Sequence, residues 1–88
     1  MRGGELDLVM REGRDLVFVE VRYRKSDRFG TPAETITASK RARLWRTAQY
    51  YLLTHPQWAQ ADCRFDVLAV RPGESGLQFE WIRDALGA

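Results

Sequence analysis

The sequence is poor in the residues on which several chemistries depend. Among its 88 residues there is one cysteine, Cys63, and one histidine, His55. A lone cysteine excludes an internal disulfide, and without clustered cysteines and histidines there is no ligand spacing for a zinc site. A glycine-rich phosphate loop, a serine-histidine arrangement, internal repeats and low-complexity tracts are also missing, which sets those reaction and fold classes aside. No apolar run approaches the roughly 20 residues that cross a membrane. The start Met1-Arg2-Gly3-Gly4-Glu5 lacks the hydrophobic stretch of a signal peptide, so the expected location is cytoplasmic. Cys63 lies beside a predicted strand and reads as a small core residue, not a nucleophile. His55, next to Pro56, reads as a helix-end residue.

What is present suits one soluble globular domain over residues 1–88, with a modest core. The composition is 44% hydrophobic and 30% charged. The net charge of +2 conceals an asymmetry, because residues 22–46 hold Arg22, Arg24, Lys25, Arg28, Lys40, Arg41, Arg43 and Arg46 against only Asp27 and Glu34. The segments on either side are each net acidic. Such a basic block reads either as a surface for a phosphodiester backbone or as a solvated helix face.

Two runs organise the chain. Gly4-Glu5-Leu6-Asp7-Leu8-Val9-Met10 and Leu16-Val17-Phe18-Val19-Glu20-Val21-Arg22 alternate as strands do, and the polar turn Arg11-Glu12-Gly13-Arg14-Asp15 joins them. Residues two apart share a face. With Leu6, Leu8, Met10, Val17, Val19 and Val21 turned to the core, the opposite faces bring Glu5, Asp7, Glu20 and Arg22 together. Clustered carboxylates repel and are costly to bury unless compensated. A hard divalent cation such as Mg²⁺ is one compensation; exposure of that sheet face to water is the other.

Beyond Arg22 the order is simple. Lys25 to Ile36 reads as a mobile loop, with Thr31-Pro32-Ala33-Glu34 suited to one helical turn. Thr37 to about Thr54 forms one long helix with Leu44, Trp45, Ala48, Tyr51 and Leu52 as its apolar stripe and Arg43, Arg46 and Tyr50 opposite. Lys40 and Arg41 fall in its first turn, where positive charge opposes the helix dipole; phosphate contact would explain them, and so would chance. Trp58 packs in a connector. Cys63 to Val70 and Leu77 to Ile82 are strands, with Phe65, Val67 and Ala69 in one layer across from Leu77, Phe79 and Trp81, and Arg83 to Leu86 is a terminal turn. The fold class is α/β, a mixed four-stranded sheet in β-β-α-β-β order with one long crossover helix.

At Gly3-Gly4-Glu5-Leu6-Asp7-Leu8 and Val17-Phe18-Val19-Glu20-Val21-Arg22 the sequence resembles the bacterial YraN family of uncharacterised proteins, relatives of Holliday-junction resolvases and restriction endonucleases. The resemblance runs on through Phe29-Gly30, Lys40, Arg43-Leu44, Tyr51-Leu52, Arg64-Phe65-Asp66-Val67 and Ile82-Arg83-Asp84-Ala85. It implies a restriction-endonuclease-like core and a nuclease motif, an Asp followed on the next strand by Glu-x-Lys, falling on Asp7 and Glu20-Val21-Arg22. It further implies catalytic roles for Asp7, Glu20 and Arg22. Mg²⁺ or Mn²⁺ would be held by Asp7, Glu20 and the Val21 carbonyl, with Glu5 tuning the site or binding a second ion. Arg24, Lys25, Lys40, Arg41 and Arg43 would hold DNA, branched DNA among the candidates. Arg22 departs from the motif, since arginine stays protonated and cannot act as a base. Members of that family carry a helix and a further strand segment ahead of the Gly-Gly-Glu, so the resemblance implies a shortened front, one uncovered sheet face, and either a homodimer or marginal stability. A non-catalytic nucleic-acid-binding module and a protein-interaction domain of the same fold are the alternatives.

Overall fold

A computed structural model describes residues 6–25 and 36–87. Glu5 and the expected helical turn Thr31 to Glu34 lie outside the described residues. The elements are β1 (Leu8–Glu12), β2 (Asp15–Tyr23), α1 (Ala38–Thr54), a 3₁₀ turn (Pro56–Trp58), β3 (Cys63–Gly73) and β4 (Gly76–Ile82). They form an α/β fold with one mixed sheet in the order β1-β2-β3-β4. The outer pairs are antiparallel and the central pair β2–β3 is parallel.

Local chemistry explains the boundaries. Glu12 pairs with Asp15, leaving a two-residue turn in which Gly13 adopts φ 60°, the sense that hairpin turns require and glycine supplies without strain. The Thr37 hydroxyl accepts the Lys40 N–H at 3.1 Å and starts α1. Pro56 cannot continue the helix, and His55 caps its end with its ring stacked on Tyr51 at 3.9 Å.

The core lies between α1 and one face of the sheet. Leu16 and Phe18 on β2 and Phe65 and Val67 on β3 meet Ile36, Leu44, Ala48 and Leu86, with Tyr51, Trp45 and Trp58 packed around them. Phe18 and Phe65 are register partners, and Tyr51 and Trp45 meet them edge-on at 5.8 and 4.8 Å.

This corrects the expected facing of the strands. The helix covers the side that carries Phe18 and Glu20, so the acids project from the core face and not from the one opposite it. Leu8, Met10 and Val21 are exposed on the far side, while Val17 and Val19 are buried there between their register partners. Alternation determines which residues share a face, and β2 is apolar on both faces, so it does not say which one the crossover helix covers. The expected layer of Leu77, Phe79 and Trp81 across from Phe65, Val67 and Ala69 is corrected for a related reason. The register pairs Leu68 with Trp81 and Val70 with Phe79, which places these side chains on the far face, Leu77 58% and Phe79 65% exposed.

That far face is anchored by Asp66, which is 0% exposed. It accepts from Arg64 Nε at 3.0 Å, Trp81 Nε1 at 2.7 Å and the Asp84 N–H at 2.9 Å. Burial alone would raise this carboxyl, but the three donors outweigh it and hold it below the usual aspartate range. Asp66→Ala is expected to lower unfolding free energy by about 2 kcal/mol, because the Trp81 indole and the Asp84 N–H lose their acceptor and Arg64 keeps only its contacts with Glu12 and Asp15. Urea denaturation measures this.

Candidate active site

Glu20 projects from β2 on the helix side, at the edge of the core. Continuing the β1–β2 register one step beyond Leu8 and Val19 brings Asp7 opposite it. Asp7 sits just ahead of β1, and its Oδ2 accepts the Val21 N–H at 2.9 Å. That bond fixes the carboxylate against β2.

Glu20 is only 4% exposed. Lys40 reaches down from the first turn of α1 and places Nζ 2.8 Å from Glu20 Oε2. The ammonium that opposes the helix dipole therefore has a partner, and Lys40 faces the sheet, not a bare solvent face. Burial pushes the Glu20 carboxyl above the ordinary glutamate range; Lys40 pulls it down, and the adjacent Asp7 carboxylate pushes it up again.

The contrast with Asp66 is informative. Both carboxyls are buried, yet Asp66 is surrounded by donors and shifted down, whereas Glu20 shares its surroundings with a second carboxylate and is shifted up. An under-compensated pair of acids has room for more positive charge. Among the described residues no group of three or more acidic, histidine or cysteine side chains is placed to hold a metal ion. Two carboxylates are nonetheless the protein share of many Mg²⁺ sites, where water and substrate phosphate supply the rest.

The other predicted residues fall in two places. Arg22 follows Glu20 along the same face of β2, and Arg24 and the exposed Lys25 lie just past the strand. Arg41 and Arg43 are exposed on α1, away from its buried stripe of Leu44, Thr47 and Ala48. Val21 meets the site through its N–H. Sequence reasoning missed Arg71 and Gln78. They lie opposite one another on β3 and β4, on the same face as Ala69, and with Arg24 and Glu80 they line a cavity of about 290 Å³. The parity of Phe65, Val67 and Ala69 extended two residues would have found Arg71.

Residues 1–70 match the model of the Uncharacterised protein family UPF0102. The chain belongs to the UPF0102 family. It is 54% identical over 87 residues to a UPF0102 protein of Xanthomonas oryzae pv. oryzae, covering 99% of this chain and 70% of that one. A UPF0102 protein of Chromohalobacter salexigens is 49% identical over 87 residues, 69% of its length. The UPF0102 protein YraN of Escherichia coli is 51% identical over 85 residues, covering 96% of this chain and 62% of that protein. The stretch matched by the UPF0102 model takes in Asp7, Glu20, Arg22 and Lys40 and stops short of Arg71.

A folded-state pKa above the unfolded one means that the native protein holds the Glu20 proton more tightly, so stability falls as pH rises through the interval above the ordinary value near 4.5. Glu20→Gln, which cannot titrate, is expected to lose the part of the stability decline with rising pH that Glu20 contributes to the unsubstituted protein. Thermal melts across pH check it.

Proposed function

We propose that this UPF0102 chain is a Mg²⁺- or Mn²⁺-dependent endonuclease acting on DNA, with branched DNA among its substrates. The observation that carries the reading is the pairing of Asp7 with a buried, under-compensated Glu20 on adjacent strands, beside the basic side chains Lys40, Arg22 and Arg24. Asp7 and Glu20, with the Val21 carbonyl, are the groups that would hold the cation, and Glu5 is the candidate for tuning it. The bound ion supplies charge neutralisation at the phosphate and an activated water.

The chain's own residues do the rest. The Val21 N–H holds Asp7 in place. Lys40 offsets part of the cost of burying the Glu20 carboxylate and brings a compact ammonium to the place where phosphate charge develops. That charge comes from α1, which eases the departure at Arg22, where the related nucleases carry their lysine. Arg22 stabilises negative charge on the phosphate without taking a proton. Arg24, Lys25, Arg41 and Arg43 hold the backbone, giving affinity that falls steeply with salt and little sequence preference.

One observation favours a second reading. Lys40 already forms an ion pair with Glu20, and such a pair is complete without a cation, as in a non-catalytic nucleic-acid-binding module. Nicking of supercoiled plasmid and of a four-way junction with Mg²⁺ or Mn²⁺ separates the two. The nuclease reading expects Asp7→Ala and Glu20→Ala each to reduce cleavage by more than the roughly 10- to 100-fold that loss of an outer-shell partner costs. DNA binding without metal-dependent cleavage, indifferent to both substitutions, assigns the module instead.

A further inference from the structure

We propose that the cavity between Arg24 and Arg71 is a second phosphate subsite, which grips the DNA backbone a few nucleotides from the phosphate held at Asp7 and Glu20. The inference rests on the DNA-directed reading above and adds to it a binding residue, Arg71, on the far side of the crossover.

Three features build the subsite. The first is register: the Arg24 N–H donates to the Val70 carbonyl at 2.8 Å, which locks the end of β2 beside β3. Arg24 and Arg71 then continue the face defined by Glu20, Arg22, Val67 and Ala69. Arg24, just past the end of β2, and Arg71 on β3 both line one cavity. A planar, permanently charged fork is the side chain best matched to phosphate oxygens.

The second is the floor. Ala69 leaves the space above it open, and Gly73 has no side chain where Gln78 crosses it, since a Cβ there would lie 2.6 Å from Gln78 Cγ. Gln78 thus lies across Gly73 and closes that end of the cavity it lines. Glu80, the register partner of Ala69, bounds the cavity on the β4 side.

The third is position. The cavity lies at the carboxyl ends of the parallel strands β2 and β3, where open α/β sheets bind ligands. Arg24 is four residues past Glu20, roughly 13 Å along the strand. At about 3.4 Å of helix axis per nucleotide of one strand, that offset corresponds to about four nucleotides.

The test is fluorescence anisotropy of a labelled duplex and a labelled four-way junction in EDTA, over a series of salt concentrations. The proteins are the intact chain, Arg24→Gln, Arg71→Gln, the double variant, and Arg14→Gln in the distant hairpin turn as control. Each subsite substitution is expected to weaken binding about 10-fold at low salt and to reduce the slope of log K against log salt by about one, with Arg14→Gln unchanged. Gly73→Ala removes no charge but displaces Gln78, and is expected to weaken binding less. Melting temperatures confirm that each variant is folded. Undiminished affinity and slope in the folded double variant overturn the subsite. Arginine-dependent binding without cleavage under Mg²⁺ or Mn²⁺ keeps the subsite and removes the nuclease. Cleavage indifferent to both arginines does the reverse, and an intact chain that binds no DNA overturns both.

Discussion

The ion pair between Lys40 and Glu20 joins the two layers of the molecule at the point where the core gives way to polar residues. Toward the hairpin turn, α1 and the sheet are held by Leu44, Ala48, Phe18 and Phe65, an ordinary apolar contact. At Glu20 the same face becomes charged, and the helix contributes an ammonium in place of another leucine. A carboxylate so poorly hydrated is unstable as an anion without a close counter-charge. The position of Lys40 in the first turn of α1, unfavourable by the dipole alone, is thus a consequence of what lies beneath it.

The two buried carboxylates occupy opposite faces of the sheet and behave oppositely. Asp66 is a closed node: Arg64, Trp81 and the Asp84 amide satisfy it and tie β3 to β4 and to the chain's last turn. Arg64 and Arg83 extend that network to Glu12 on β1, spanning the width of the sheet. Glu20 is open, sharing its space with Asp7 and a single helix lysine. Burial by itself does not mark a functional acid; the balance between burial and donors does.

Much of the architecture was legible from local patterns. Gly13 between alternating strands located the hairpin, Thr37 and Pro56 bounded the helix, and a crossover between two hairpins required a parallel centre. Asp7 and Glu20 were placed on a common face by parity alone. Parity was also where legibility ended, because β2 presents Leu16 and Phe18 on one side and Val17 and Val19 on the other, both apolar. Leu77, Phe79 and Trp81 misled for their size: large apolar side chains suggest a core, yet their register puts them on the far, exposed face. Lys40 carried a visible signal, its conflict with the helix dipole, but the partner that resolves it is distant in sequence.

The sheet combines two local pairings with one non-local pairing. β1 with β2 and β3 with β4 close through short turns, and such hairpins form in about 1–10 μs. Joining Leu16 to Cys63 requires the whole helical crossover to be enclosed first, a non-local closure that slows folding. Asp7 and Glu20 belong to the region of one hairpin, whereas Lys40 comes from the crossover helix. The two carboxylates are therefore brought together by local contacts, whereas their pairing with Lys40 depends on the closed crossover.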